Sequence, residues 1–204
     1  GLVTELRDYV IAVKLGYPTI LSNYARGIRE FTGEFSDRVS FIADAKIADV
    51  SHVNRRIADN LFSMGFDAVI AHGFIGYEGG LDGLAEIVRE KGKGLIVLVS
   101  MSNKGAINTM DEVVDEILKE SLKTNPSGFV APATRPNMIR ILRTKISPDM
   151  KIFAPGVGAQ GAPYGSALSS GADYEIVGRA IYDDKDPVGS AESVVESQRV
   201  AVRR

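Results

Sequence analysis

The sequence predicts an α/β fold built on parallel strands, and three observations carry that reading. Short runs of Val, Ile, Ala and Phe recur along the chain, as expected for strands covered on both faces. Amphipathic stretches with a helical period fill the intervals between them. The turns Met64-Gly-Phe-Asp67 and Ser170-Gly-Ala-Asp173 both lead from a helical stretch into an apolar run, a repeated helix-to-strand exit. Strand followed by helix, repeated, implies right-handed crossovers within one sheet.

In chain order, Gly1–Tyr9 reads as a helix, with Leu2, Val3 and Leu6 on one side. The expected strands are Val10–Leu15, Val39–Ala43, Ala68–Ala71, Leu95–Ser100, Gly128–Ala131, Lys151–Ala154 and Tyr174–Val177. The expected helices include Ser51–Met64, with Val53, Ile57, Leu61 and Met64 about one turn apart, and Asp111–Leu122, with Val113, Val114, Ile117, Leu118 and Leu122. Arg135–Thr144 is a third, because Pro136 suits a first helical turn. Pro187–Arg204 reads as a polar helix. Seven strands suit an open sheet, whereas a closed (β/α)8 barrel needs eight. A barrel short of one strand would leave two unpaired edges, so an additional first strand upstream of Gly1 is expected in the native protein.

Composition narrows the classes of function. The chain has 204 residues, enough for one domain with a sizeable core, and residues 1–204 are read as one. A net charge of −2 gives no overall field for nucleic acid or an anionic membrane. An anionic substrate must then be held by a few placed cations. Cysteine is absent, which excludes disulfides, thiolate metal sites and cysteine nucleophiles. No apolar run approaches the ~18–20 residues of a membrane span, and a cytoplasmic location is the expectation.

Two groups of residues suggest chemistry. In Phe41-Ile-Ala-Asp44-Ala-Lys46-Ile-Ala-Asp49-Val, charges appear where an apolar strand ends. Alternation places Asp44 and Lys46 on one side, with Asp49 in the loop beyond. Lys14 ends the preceding strand. Side chains at the C-terminal ends of barrel strands project into the catalytic mouth, where such a cluster would shift its members' ionisation. A solvated surface pair is the plainer alternative for any one of these contacts. The second group is Pro155-Gly-Val-Gly158-Ala-Gln160-Gly161, with Val177-Gly178-Arg179 after the last strand. Glycines free backbone N–H groups to approach an anion, and barrel enzymes often grip phosphate with their last two strand loops. Alone, a glycine-rich turn is weak evidence, and Arg179 could be a simple surface cation.

The order and spacing of these segments resemble the orotidine 5′-monophosphate decarboxylase family. Asp44-Ala-Lys46-Ile-Ala-Asp49 looks like its Asp-x-Lys-x-x-Asp signature, and Pro155–Gly161 like its phosphate-gripping loop. Val13–Pro18, Ala71-His-Gly-Phe74, Ser100-Met-Ser102, Ala131–Pro136 and Val177–Arg179 follow in the family's order. The resemblance implies a (β/α)8 TIM barrel and decarboxylation of orotidine 5′-monophosphate to uridine 5′-monophosphate, with no cofactor and no metal. It gives Lys46 the role of proton donor to C6, sets Asp44 against the substrate carboxylate and has Lys14 hold Asp44. Asp49 would reach into the neighbouring subunit of a homodimer. Ser102 would contact the pyrimidine, Gln160 would bridge base and phosphate, and Arg179 with the backbone of Gly158 and Gly178 would bind phosphate beside Pro155. His52 is expected at the surface or a dimer interface, and His72 to be structural.

One departure stands out. The family usually has Thr where this chain has Val53, and weaker substrate binding is the expected consequence. Two rival readings remain at this stage. One is a magnesium-dependent sugar-phosphate decarboxylase or aldolase sharing the Asp-x-Lys-x-x-Asp core; the other is a catalytically silent nucleotide-binding protein.

Overall fold

The computed structural model describes residues 1–203. Helices α1 (Leu2–Leu6), α2 (Tyr17–Ser22), α3 (Ala25–Phe35), α4 (Ser51–Ser63), α5 (Asp82–Lys91), α6 (Val114–Leu122), α7 (Pro136–Lys145), α8 (Arg179–Tyr182) and α9 (Pro187–Val202) alternate with seven strands. These strands are β1 (Ala12–Gly16), β2 (Ser40–Ile47), β3 (Ala68–His72), β4 (Gly94–Leu98), β5 (Gly128–Val130), β6 (Lys151–Pro155) and β7 (Tyr174–Ile176). Every expected strand is present, with ends moved by a few residues. An eighth has no counterpart among the described residues. No helix among them is long and apolar enough to cross a membrane.

The chain forms two compact units. The first comprises residues 10–99 and 113–127 and holds β1 to β4, all parallel and in chain order. Phe41, Phe66, Val69, Leu84 and Val97 are fully buried there, and each such side chain contributes about 1.5–3 kcal/mol of burial. The second comprises residues 1–9, 100–112 and 128–204 and holds β5, β6 and β7, again parallel. Its core includes Phe129, Ile139, Ile152 and Ala154.

The repeated turn proves to be a register lock, used once in each unit. Gly65 takes a φ of +91° and Gly171 one of +102°, which side chains disfavour. The aspartate two residues on then grips the neighbouring strand from both sides. Asp67 donates its N–H to Phe41 O at 2.8 Å, and its carboxylate accepts from Phe41 N at 2.9 Å. Asp173 does the same to Ile152, at 3.0 and 2.8 Å. Lys93 lies 2.8 Å from the Asp67 carboxylate and Arg143 lies 3.1 Å from that of Asp173.

Several expectations need correction. The second strand continues through Asp44 and Lys46 to Ile47 rather than stopping at Ala43, so these charges lie within it. The strand is also irregular there: the register to β3 shifts between Ala43 and Ile47, and Lys46 has a φ of +45°. A bulge re-aims side chains in this way. On α4 the buried line is Asn54, Ala58, Leu61 and Phe62, so Val53 and Ile57 flank the inward face. The Asp111–Leu122 helix opens with a 3-10 turn, because only Val114–Leu122 is α-helical. The last helix buries Ala191 and Val194 and so is not wholly polar; Arg204, its expected end, lies outside the described residues.

Candidate active site

In the first unit the bulged end of β2 and the end of β1 bring three of the expected residues together. Register pairs Gly16 with Asp44, which sets Lys14 two residues back on the adjacent strand. The Asp44 carboxylate is held from both sides: Lys14 Nζ donates to Oδ2 at 2.7 Å, and Lys46 Nζ donates to Oδ1 at 2.8 Å. Asp44 is 8% exposed. Burial pushes its carboxyl pKa up, but the Lys14 charge and hydrogen bond, joined by those of Lys46, outweigh burial and leave it below the usual carboxylate range. Asp44 is therefore an anion at neutral pH, flanked by two ammonium groups. The positive φ of Lys46 stores local strain, which is common where a side chain is aimed for function.

Asp49 lies apart from this cluster, in the exposed loop after β2. Its side chain accepts from the N–H of Val50 at 2.7 Å. The loop itself is set by Asn54, a residue that motif reading missed. Asn54 is fully buried; its amide oxygen accepts from Asp49 N at 2.9 Å, and its amide nitrogen donates to Asp49 O at 2.6 Å and Gly80 O at 3.0 Å. The helical spacing drew the inward line through Val53 and Ile57, one residue away, so nothing in the sequence marked Asn54.

His72 ends β3 with its ring 4.8 Å from that of Phe74. Its Nδ1 is buried without a hydrogen-bond partner. Burial lowers its pKa, the Lys46 charge lowers it further, and Asp44 opposes both, so the imidazole is neutral at pH 7. It thus shares the electrostatic environment of the Lys–Asp–Lys cluster. His52 is exposed on the first turn of α4.

In the second unit the glycine loop follows β6. Gly156, Gly158 and Gly161 have φ of +104°, +66° and +100°. The loop closes on itself: Gly158 N donates to Ala162 O at 2.9 Å, Gly161 N to Gly158 O at 2.8 Å and Ala162 N to Gly156 O at 3.2 Å. The Gly158 N–H, expected to meet phosphate, is committed to Ala162 in this conformation. Any side chain at Gly158 would lie 2.7 Å from the Tyr164 hydroxyl, so the position is closed to other residues. Gln160 and Arg179 are exposed, and Pro155 and Ser102 are half-buried. Gly178 caps the N-terminus of α8, with Arg179 as its first residue. Glu175, also missed, accepts from Gly165 N at 2.8 Å, Ala167 N at 3.0 Å and Gln198 Nε2 at 3.1 Å, and so fixes the segment that follows the glycine loop.

Parallel βα units, with charged side chains toward the C-terminal ends of their strands, define an enzyme of the α/β class. Comparison with known proteins gives the family. The profile of the orotidine 5′-phosphate decarboxylase / HUMPS family matches residues 1–194. The orotidine 5′-phosphate decarboxylase of Sulfurisphaera tokodaii is 42% identical over 201 residues, covering 98% of this chain and 90% of that protein. That of Methanosarcina acetivorans is 39% identical, covering 99% and 89%. The crystal structure of orotidine 5′-monophosphate decarboxylase from Sulfolobus solfataricus matches with a TM-score of 0.88 at 30% identity, over 98% of this chain and 92% of that one. The Methanocaldococcus jannaschii enzyme complexed with inhibitor BMP matches with a TM-score of 0.87 at 31% identity, over 97% and 90%. The chain belongs to the orotidine 5′-phosphate decarboxylase / HUMPS family, and its fold class is the barrel class anticipated from the sequence.

Proposed function

We propose that this protein decarboxylates orotidine 5′-monophosphate to uridine 5′-monophosphate, with Lys46 as the proton donor. The observation that carries the reading is the Asp44 carboxylate held between Lys14 and Lys46 at 2.7 and 2.8 Å. The C6–carboxylate bond breaks and its electron pair stays on C6. Carbon dioxide leaves, the Lys46 ammonium delivers a proton to C6, and the neutral amine regains one from solvent. A developing carbanion gains most from a cation already oriented toward it, because no reorganisation is then needed as charge forms. Asp44 sits against the substrate carboxylate, where like-charge crowding raises the ground state, and also fixes the Lys46 ammonium. Lys14 holds Asp44 and meets the ribose.

This reaction draws on these side chains and needs no cofactor. Ser102 contacts the pyrimidine and Gln160 bridges base and phosphate. Arg179 binds the phosphate together with the N–H groups of Gly158 and Gly178, beside Pro155; this role for Gly158 requires its bond to Ala162 to open. A homodimer in which Asp49 serves the partner's site, and a cytoplasmic location, belong to the same reading. The exposure of Asp49, in a loop held by hydrogen bonds to Asn54, supports the reach toward a partner.

The test is the ultraviolet loss of orotidine 5′-monophosphate by purified protein, with and without EDTA, beside Lys46→Ala. Turnover that ignores EDTA and collapses in the variant is expected. Turnover abolished by EDTA, or none at all while uridine 5′-monophosphate still binds, would overturn the reading.

A further inference from the structure

Beyond the residues assigned above, the second unit contains another shielded ion pair. Arg135 follows β5, and its Nη1 lies 2.9 Å from Asp111 Oδ2, with the side chains 19% and 16% exposed. Arg135 Nη2 donates to Ser100 Oγ at 2.8 Å and also to the carbonyl of Met101. The Ser100 hydroxyl in turn donates to Asp111 Oδ1, and Ser100 is fully buried. One guanidinium therefore grips both ends of the segment 100–111.

Between those ends the bonds are local: Ala106 N to Asn103 O at 3.2 Å, Thr109 N to Ala106 O at 3.3 Å and Thr109 Oγ1 to Gly105 O at 3.0 Å. Asn103, Lys104, Gly105, Ile107, Asn108 and Thr109 are exposed. Ala106 is the segment's buried apolar anchor, and the hydrogen bonds and ion pair that tie it to Arg135, after β5, are made at its two ends. Ser102 is the residue next to Met101. A shielded ion pair is a poor source of net stability, since apolar replacements of similar volume often do as well, and fixing one arrangement is its better-attested use. Arg135 also keeps its Nε–H buried without a partner, so its orientation follows the two loop ends at the expense of its own hydrogen bonding.

We propose that Arg135, oriented by Asp111, is a positioning residue for Ser102: it sets the segment 100–111 so that the Ser102 hydroxyl faces the pyrimidine. This rests on the role of Ser102 proposed above. Arg135 acts through the loop and does not touch the reacting carbon.

Four variants test it: Asp111→Asn, Arg135→Lys, Ser102→Ala and Ser102→Ala combined with Asp111→Asn. Asp111→Asn is expected to lower kcat/KM for orotidine 5′-monophosphate about tenfold, the scale of one weakened charge-assisted hydrogen bond. Arg135→Lys keeps the charge but loses the fork, and falls by a similar factor. The double variant should lose no more than Ser102→Ala alone, because both changes act on the same contact. Independently of activity, tryptic cleavage after the exposed Lys104 should accelerate several-fold in Asp111→Asn, as local opening becomes easier. Losses that multiply in the double variant would overturn the proposal, as would an unchanged rate of cleavage at Lys104. A wild-type protein with no decarboxylase activity would instead sink the function assigned above, and the cleavage rate would still read the clamp.

Discussion

Replacing Asp44 with Asn separates the charge of the cluster from its shape. The amide fills the same volume, but Lys14 and Lys46 lose the anion they share and face each other uncompensated. Two charge-assisted hydrogen bonds at about 1.5–3 kcal/mol each set an upper bound near 6 kcal/mol. The lysine side chains are 25% and 36% exposed, so water takes up part of the loss. The amide oxygen also still accepts one bond, which leaves an expected destabilisation of about 2–3 kcal/mol at neutral pH. Because the folded-state pKa of Asp44 is lowered, its stabilisation is complete above the unfolded carboxylate value of about 4 and is lost as the pH falls through the folded value. Urea unfolding of wild type and Asp44→Asn at pH 7, repeated at stepwise lower pH, should show a gap that is widest at neutrality and closes in acid. Equal stability at pH 7, or a gap indifferent to acid, would refute the claim that the two lysines compensate this carboxylate.

Three other outcomes are expected. Lys46→Gly and Lys46→Ala should both abolish turnover, yet thermal unfolding should find the glycine variant more stable by about 1 kcal/mol, because only glycine is unstrained at a φ of +45°. His72 has a lowered folded-state pKa, so below about pH 6.5 the unfolded chain takes up a proton that the folded chain refuses, and stability falls until folded His72 also protonates; His72→Asn should flatten that slope in pH-dependent denaturation. Val53→Thr should tighten uridine 5′-monophosphate binding several-fold in calorimetry, the worth of one hydrogen bond of about 0.5–1.5 kcal/mol.

The legible part of the fold was its strands, because continuous Val, Ile and Ala runs mean burial on both faces wherever they fall. Helix α3 was not anticipated: its buried line is Ile28, Thr32 and Phe35, and a threonine at the centre masks the apolar spacing. Helix α5 follows the glycine-rich segment Gly76–Gly80, which reads as a turn and hides the helix start. In the site, Lys14, Asp44 and Lys46 could be picked out because charged residues stand out in apolar strands, although the bulge, and not simple alternation, aims Lys46. Asn54, Arg135 and Glu175 could not. Asn54 works through Gly80 and Arg135 through Ser100, 26 and 35 residues away, and such pairings exist only after the chain has folded. The bulge at Lys46 was likewise invisible, since it arises from a mismatch between β2 and its neighbour.

The register locks of Asp67 and Asp173 bear on how such a protein can change. Each aspartate fastens the start of its strand to the preceding one, so alignment is settled at the end opposite Lys46 and the loops that carry Asp49 and Gly158. A β–α–β segment closed in this way carries its own alignment mark. Loops at the other end can be lengthened, shortened or exchanged without sliding the strands by a residue and turning every side chain to the wrong face. Such a scaffold is free to explore new substrates by insertion and grafting, as long as two small Gly-x-Asp turns are left untouched.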